Sequence, residues 1–267
     1  MSNQSNIVYT ESFASLFKHL SLSTNSISSL DMDVPYKALP HYFEAIEAHL
    51  NASNINRNDC IALECQNSLS AILVLLCLFN RGQHLLLLPP QGDPQKPIGF
   101  QPDIPVFCKN AISVSSGPFT PSNITDLVHN YPNQSYDPLV LERLNTNGGR
   151  LLLLRTSGSM GDAKIVQFNQ EKLLGNSSNC TIRFGLKSDS RITIAVPVYH
   201  QYGLGAGLVP SLLAGASVNI QENTNILKFM AHNRSFEPDI VYLNPTLITM
   251  LLNGRRSDQH YTRTITA

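Results

Sequence analysis

The residues best suited to chemistry lie within residues 151–166, where the sequence reads LLLLRTSGSMGDAKIV. The apolar run at the start predicts a fully buried strand, and the glycines after it allow a sharp turn. Thr156, Ser157 and Ser159 place hydroxyl groups in that turn, and Lys164 adds a positive charge. Hydroxyls, backbone NH groups and an ammonium group together suit a polyphosphate. The segment therefore predicts a phosphate-binding loop at the end of a buried strand.

Two well-known motifs do not fit this loop. A P-loop requires GxxxxGK followed by Ser or Thr, whereas Lys164 stands three residues after Gly161 and is followed by Ile165. A nucleophile elbow requires GxSxG, and neither Ser157 nor Ser159 has glycines at that spacing. What remains is the pattern TSGSxGxxK directly after an apolar strand.

This pattern resembles the phosphate-binding signature TSGSTGxPKG of the adenylate-forming enzymes. That AMP-dependent synthetase and ligase superfamily includes acyl-CoA synthetases, aryl-CoA ligases, luciferases and peptide-synthetase adenylation domains. The positions that match are Thr156, Ser157, Gly158, Ser159, Gly161 and Lys164. Met160, Ala163 and Ile165 replace the threonine, proline and glycine of the signature. Losing the threonine hydroxyl is expected to weaken triphosphate binding by about 0.5 to 1.5 kcal/mol, the net value of one hydrogen bond.

A second segment supports the resemblance. Residues 197–204 (PVYHQYGL) follow a predicted strand, precede a glycine-rich helix and resemble the family's PLFHxxGL. A histidine at a strand end is by itself more often structural, but the resemblance implies that His200 orients a substrate carboxylate. It also implies an acyl pocket, whose predicted substrate-binding residues are Tyr199, His200, Tyr202, Gly203 and Asn244.

Weaker matches extend the resemblance over roughly residues 31–267. Residues 212–218 (LLAGASV) resemble the family's LxxGAxV, and residues 58–89 resemble its block of GDxVAI, asparagine, apolar helix and strand. Asn67 stands at the asparagine position, while Asn58 and Arg81 depart from the pattern. The phosphate loop and the histidine segment are the specific parts of the match.

The elements that must position these residues alternate along the chain. Helices are predicted over residues 36–50, 69–80, 170–184, 203–214, 226–233 and 245–252. Strands are predicted over residues 60–64, 84–88, 191–196, 217–221 and 239–243, with weak candidates at 104–108 and 111–115. Apolar strands alternating with helices favour a largely parallel sheet covered on both faces. The predicted fold class is α/β, with largely parallel sheets flanked by helices, as in a truncated N-terminal domain of acyl-CoA synthetase-like enzymes.

The resemblance implies that residues 1–267 form a partial N-terminal domain of an AMP-forming ligase. Its expected parts are an N-terminal extension (1–30), a first βαβ block (31–90), an irregular connector (91–149) and a phosphate-loop half (150–267). The family continues past this point into adenine-, magnesium- and ribose-binding motifs and a small C-terminal domain with a catalytic lysine. We therefore expect the C-terminal domain to be absent and the Mg²⁺ ligands to lie beyond the chain, with no metal site inside it.

Composition excludes several classes of function. Lys plus Arg number 19, as do Asp plus Glu, so the chain lacks the electrostatic footprint of a nucleic-acid or anionic-membrane binder. Its longest apolar run (71–79) is shorter than the roughly 20 residues of a membrane span. Without a signal peptide the chain is expected to be cytoplasmic, and its five cysteines to be buried and reduced. The low charged fraction predicts a surface covered by the missing C-terminal region or a partner chain.

The resemblance implies ATP-dependent activation of a carboxylic acid as an acyl-adenylate, then transfer to a thiol such as CoA or a carrier-protein phosphopantetheine. Thr156, Ser157 and Ser159 would hold the β and γ phosphates, and Lys164 would offset charge on the leaving pyrophosphate. Residues 196–204 contain no acid to pair with an amino group, so a fatty, aryl or other non-amino acid is expected. A non-catalytic nucleotide-binding or interaction module with this fold is the alternative. A serine hydrolase using Ser159 and His200 is a weaker one.

Overall fold

The computed structural model describes residues 10, 12–90, 104–115, 117–146, 148–155, 164–221, 226–253 and, as backbone, 265–266. Its α-helices are α1 (Phe13–Leu20), α2 (Leu39–Ala52), α3 (Leu69–Asn80), α4 (Ile124–Leu127), α5 (Pro138–Leu144), α6 (Gln170–Phe184), α7 (Val209–Leu213), α8 (Ile226–Phe236) and α9 (Pro245–Asn253). Its strands are β1 (Ser26–Ser28), β2 (Asp33–Pro35), β3 (Cys60–Glu64), β4 (His84–Leu88), β5 (Asn110–Val114), β6 (Val128–Pro132), β7 (Leu151–Arg155), β8 (Ile165–Asn169), β9 (Arg191–Ile194), β10 (Ser217–Ile220), β11 (Ile240–Tyr242) and β12 (Ile265–Thr266). A π-helix covers Tyr202–Leu208.

The strands form two six-stranded sheets. The first sheet has the order β6-β5-β3-β4-β7-β8, and the second has the order β12-β11-β9-β10-β1-β2. The inner pairs of both sheets are parallel, whereas β6, β8 and β2 pair antiparallel at the edges. This arrangement confirms the predicted α/β class with largely parallel sheets.

The first sheet is covered on both faces because its strands alternate between two cores. Ile61 and Leu63 of β3 face the large core, which also holds residues of the second sheet. Cys60 and Ala62 face a smaller core, which includes residues of α5. Strands β3, β4, β5 and β7 therefore bury their apolar side chains, as parallel strands between helical layers do.

Helix α3 belongs to the large core and is buried on all sides. All eleven of its residues from Leu69 to Phe79 are buried, as expected for a helix that is apolar around its whole circumference. Ser68 caps the helix by accepting a hydrogen bond from the backbone NH of Ala71 (3.2 Å). Among the described residues, neither this helix nor any other is long and apolar enough to cross a membrane.

The first thirty residues, described from residue 10 onward, contribute to the folded core. The Phe13 ring of α1 stacks on Phe79 of α3 with centroids 4.3 Å apart. Strand β1 pairs in parallel with β10, and Ile27 at its centre is fully buried. Residues 13–28, which the sequence prediction assigned to an extension, thus complete the second sheet and its helical cover.

Several element predictions were wrong or incomplete. Residues 104–108 do not form a strand, because they make a turn closed by a hydrogen bond from the Cys108 NH to the Pro105 carbonyl (2.9 Å). Edge strands β6 and β8 were missed because their side chains are largely exposed or half-buried and lack an apolar pattern. The helix predicted over residues 203–214 begins as the π-helix and becomes α-helical at Val209.

The cysteines are reduced, as predicted. All five are free thiols; Cys60, Cys65, Cys77 and Cys108 are buried, and Cys180 is partly exposed. Burial raises the pKa of Cys65 and Cys77 to about 12. Because the thiolate is the reactive form, these groups are structural.

Candidate active site

The predicted chemistry lies at the carboxyl ends of parallel strands, which we call the carboxyl edge. Ligands of open α/β sheets bind outside this edge. The loop residues Thr156, Ser157, Gly158, Ser159 and Gly161 follow β7 directly and lie outside the described residues. The description resumes at Lys164, whose side chain is exposed one residue before β8 begins. The structure thus places the two ends of the predicted phosphate loop at the carboxyl edge of the first sheet.

The histidine segment occupies the carboxyl edge of the second sheet. After β9 the chain makes a turn in which the His200 NH bonds to the Pro197 carbonyl (3.3 Å). The Leu204 NH then bonds to the His200 carbonyl (3.0 Å) and starts the following helix. The ring centroids of Tyr199 and His200 are 4.5 Å apart. Four predicted substrate residues, 199, 200, 202 and 203, therefore lie in one turn and the helix start after it.

Partial burial sets the protonation of this turn. It lowers the pKa of His200, whose side chain is still exposed on one side. Burial also raises the pKa of Tyr199, with a smaller contribution from Cys65. Both side chains are neutral at pH 7, so the His200 imidazole can donate and accept hydrogen bonds without carrying a fixed charge.

Asn67 holds the backbone of this turn from the first sheet. Its Nδ2 donates to the Val196 carbonyl (2.6 Å), and its Oδ1 accepts from the Val198 NH (2.9 Å). Asn67 lies between β3 and α3, next to the helix cap Ser68. We matched Asn67 to a family position from sequence but assigned it no role. Nothing in its neighbourhood along the chain reveals a partner 129 to 131 residues away.

The π-helix presses on the same turn from the other side. A Cβ added at Gly203 would overlap the Pro197 carbonyl oxygen, so only glycine allows this approach. π-helical turns are rare and are often found at functional sites. The sequence pattern of glycines does not distinguish this geometry from an ordinary α-helix.

Aromatic side chains line the inner side of the π-helix. The Tyr202 ring lies edge-on to the Tyr242 ring with centroids 6.0 Å apart, and Phe184 contacts Tyr242 from α6 in the same manner (6.1 Å). Tyr242 is fully buried, and its hydroxyl has no hydrogen-bond partner among the described residues. Burial, with a contribution from Tyr202, raises the pKa of Tyr242. Sequence reasoning missed Tyr242 because a tyrosine in a short apolar strand has no distinguishing signal.

Asn244 has a structural partner. Its Oδ1 accepts a hydrogen bond from the Leu247 NH (2.8 Å) at the beginning of α9. This is the usual N-cap interaction. Its predicted contact with substrate stays a prediction, and its acceptor oxygen is already engaged.

No resident metal centre is formed by the described residues. Within those ranges, no group of three or more His, Cys, Asp or Glu side chains could hold a metal ion. The described part of the chain therefore gives no set of ligands for the Mg²⁺ that the resemblance implies, and we derive no step through it.

Comparison with known proteins shows what the chain resembles. Residues 140–265 match the family model described as AMP-binding enzyme. Feruloyl-CoA synthase of an Amycolatopsis species is 37% identical over 67 residues, which cover 25% of this chain and 14% of that protein. Oxalate–CoA ligase of Arabidopsis thaliana is 32% identical over 108 residues, which cover 40% of this chain and 20% of that protein.

Solved structures show the same fold. The O-succinylbenzoate coenzyme A synthetase of Bacillus subtilis in complex with AMP superposes with a TM-score of 0.69 at 15% identity, covering 93% of this chain and 65% of that one. The ATP-bound MatB of Rhodopseudomonas palustris gives a TM-score of 0.67 at 17% identity, covering 90% and 51%. The chain thus spans about half to two thirds of these neighbours.

The matches support the resemblance to the adenylate-forming superfamily that the sequence predicted. Residues 140–265, just under half of the chain, are the part that matches the AMP-binding enzyme model. The chain as a whole has the fold of the N-terminal domain of acyl-CoA synthetase-like enzymes, and by resemblance it is part of an AMP-forming carboxylate ligase.

Proposed function

We propose that the protein containing this chain uses ATP to activate a carboxylic acid as an acyl-adenylate and then transfers the acyl group to a thiol. The observation that carries the proposal is the turn bearing Tyr199 and His200, which is held to the first sheet by Asn67. That contact brings the carboxyl edges of the two sheets together. It supports a single crevice with a phosphate loop on one wall and a histidine on the other.

The strand order supports this closeness. Asn67 follows β3, and the phosphate loop follows β7, with β4 between them. Neighbouring strands are about 4.8 Å apart, so the two loops leave the first sheet roughly 10 Å from each other. Asn67 therefore holds the histidine turn about two strands away from the start of the phosphate loop.

The first step joins the carboxylate to ATP. A carboxylate oxygen bonds to the α-phosphorus, and the bond from that phosphorus to the bridging β-phosphate oxygen breaks, releasing pyrophosphate. Lys164 offsets the charge of this leaving group, and the loop hydroxyls of Thr156, Ser157 and Ser159 hold its oxygens. His200 orients the carboxylate by a hydrogen bond from its neutral ring.

The second step transfers the acyl group. The thiol sulfur bonds to the acyl carbon, the bond from that carbon to AMP breaks, and the thiol proton passes to solvent. The relatives named as CoA ligases favour CoA as the thiol, and a carrier-protein phosphopantetheine remains the alternative acceptor.

The proposed acid lacks an α-amino group. Residues 196–204 contain no Asp or Glu that could pair with an ammonium group, and burying an unpaired ammonium is costly. The half-buried aromatic side chain of Tyr202 beside the turn favours an apolar or aryl acyl group. We therefore place fatty, aryl and other non-amino acids in the substrate class.

Carboxylate-dependent exchange of labelled pyrophosphate into ATP tests the proposal. The complete protein and this chain are each assayed with a panel of fatty, aryl, dicarboxylic and amino acids. We expect exchange with a non-amino acid and about 100-fold less in Lys164→Ala, the typical cost of one charge-stabilising group. Lys187→Ala is the matched control, since Lys187 is exposed at the opposite end of β9.

Two other outcomes identify the alternatives. ATP binding measured by calorimetry, without exchange for any acid in the complete protein, indicates a non-catalytic nucleotide-binding or interaction module. Covalent labelling by a fluorophosphonate that is lost in Ser159→Ala indicates a serine hydrolase, and we expect no labelling. The cytoplasmic location and a partner chain stay predictions.

A further inference from the structure

We propose that Asn67 is a positioning residue for the reaction, acting through the backbone of the turn that carries Tyr199 and His200. This inference rests on the proposed function and adds to it a residue outside both sequence motifs. The two hydrogen bonds by which Asn67 joins the sheets then help to place His200 against the substrate carboxylate.

Asn67 donates one hydrogen bond and accepts another, and the two backbone groups it contacts lie on either side of Pro197. Nδ2 donates to the Val196 carbonyl at 2.6 Å, and Oδ1 accepts from the Val198 NH at 2.9 Å. Pro197 between them has no NH, so the backbone cannot supply a donor at this point. A side-chain amide satisfies both neighbours at once because it carries a donor and an acceptor on one carbon.

The segments on either side of Asn67 are held firmly in place. The Cys65 NH bonds to the Leu88 carbonyl (3.0 Å), which extends the pairing of β3 with β4 beyond Glu64. The next residue after Asn67, Ser68, caps the wholly buried α3. The amide is therefore held between a paired strand end and a buried helix.

On the side of the turn away from Asn67, Gly203 packs closely against the Pro197 carbonyl. Residues 196–198 are thus fixed between the first sheet and the π-helix, and Tyr199 and His200 follow immediately. Removing the Asn67 amide eliminates the contacts on one side of residues 196–198 and lets the His200 ring shift. A displacement of about 1 Å at a reacting group can cost up to 100-fold in rate.

The first experiment compares Asn67→Ala with a matched control, Asn133→Ala. Asn133 makes the same kind of contact, donating to the Pro105 and Cys108 carbonyls (3.1 and 2.9 Å) and accepting from the Ser135 NH (3.0 Å), but it precedes α5 far along the chain from the histidine turn. We expect Asn67→Ala to lower kcat/KM for the acid in pyrophosphate exchange at least about ten-fold. The KM for ATP in Asn67→Ala and the activity of Asn133→Ala should stay within about two-fold of wild type.

A double-mutant cycle shows whether Asn67 acts through His200. In a His200→Ala background, Asn67→Ala should cause no further loss, because the residue it positions is gone. Additive losses in the cycle, or equal losses in Asn67→Ala and Asn133→Ala, would overturn the inference.

A measurement on this chain separates the inference from the proposed function. The ring signals of His200 in NMR spectra, assigned by comparison with His200→Ala, should shift and broaden in Asn67→Ala and stay unchanged in Asn133→Ala. Unchanged signals in Asn67→Ala overturn the positioning role. Shifted signals in a protein that activates no acid uphold the positioning of His200 and overturn the proposed reaction instead.

Discussion

The two edges of the first sheet use polar side chains in different ways. At the amino edge, where β3, β4 and β7 begin, polar side chains bond to backbone or to each other. His84 Nδ1 accepts from the Leu151 NH (3.0 Å), and Lys109 pairs with Asp59 (2.7 Å). At the carboxyl edge, Asn67 of the first sheet holds the backbone of the turn that follows β9, and the His200 side chain in that turn is exposed.

The two histidines show what this difference means. His84 is 5% exposed, and its pKa is lowered by burial and by the charge of Arg150. His200 is exposed, and its pKa is lowered by partial burial. Histidine is thus a buried structural acceptor at one edge and an exposed side chain at the other. Residue type alone does not distinguish these two environments, whereas the position at one edge or the other does.

The amino edge of the first sheet also has a cleft. It has a volume of about 510 Å³ and is lined by Asn58, Asp59, His84 and Arg150 among others. These four side chains have partners, since Arg150 donates to Asn58 (3.0 Å) while Asp59 and His84 have the partners given above. Asn145, which also lines the cleft, has a buried Oδ1 without a partner among the described residues.

Replacing His200 should give the largest effect at the carboxyl edge. We expect His200→Ala to lower pyrophosphate exchange about 100-fold, the cost of losing a group that orients the reactants. The free energy of unfolding in urea should change by less than about 0.5 kcal/mol, because the side chain is exposed. If His200→Ala kept wild-type activity, or lost more stability than that value, His200 would not differ from the structural His84.

Gly203→Ala should destabilise the protein by about 1 to 3 kcal/mol, as overpacking does. The added methyl group would overlap the Pro197 carbonyl oxygen, and a backbone atom cannot move aside cheaply. Gly207→Ala is the control in the same π-helix, where an added Cβ makes ordinary contacts of 3.7 Å or more. Urea unfolding measures both, and equal stability of the two variants would contradict the close approach.

His84→Ala should cost about 1 to 3 kcal/mol of unfolding free energy, since it leaves the buried Leu151 NH without an acceptor. Its exchange activity should equal that of wild type at temperatures where both are folded. His84→Asn places an amide oxygen where Nδ1 accepts, so it should recover part of the loss. A fall in activity without a fall in stability would assign the amino edge a role in chemistry.

The smallest effect concerns pH. Because burial lowers the pKa of His84 below its ordinary value of 6.5, the unfolded chain binds more protons just below that pH. The stability contribution of neutral His84 is thus complete above about pH 6.5 and is lost as the pH falls through the folded-state pKa. His84→Asn should show a shallower decline of unfolding free energy between about pH 7 and pH 5. An unchanged slope would mean that His84 does not titrate as described, the remaining slope coming from His200 and His232.

How much was predictable depended on burial. The predicted bounds of β3, α3 and β4 agree with the structure at both ends, because these elements are mostly apolar and nearly all of their flanking residues are polar or proline. Edge strand β8 could not be predicted, since its sequence IVQFN does not alternate between apolar and polar residues. Within the site, the order Tyr199, His200, Gly203 was readable from the motif, whereas Tyr242 and the action of Asn67 were not.

The sequence by itself revealed the family resemblance and the buried elements. Local runs of apolar residues define strands and helices, and a short motif carries its chemistry within a few residues. Only the tertiary structure decided which side chains hold the loops and which remain available. Asn67 and Val198 are 131 residues apart, and no local property of either predicts their hydrogen bond. The overlap that excludes a side chain at Gly203 likewise exists only after the chain has turned back on Pro197.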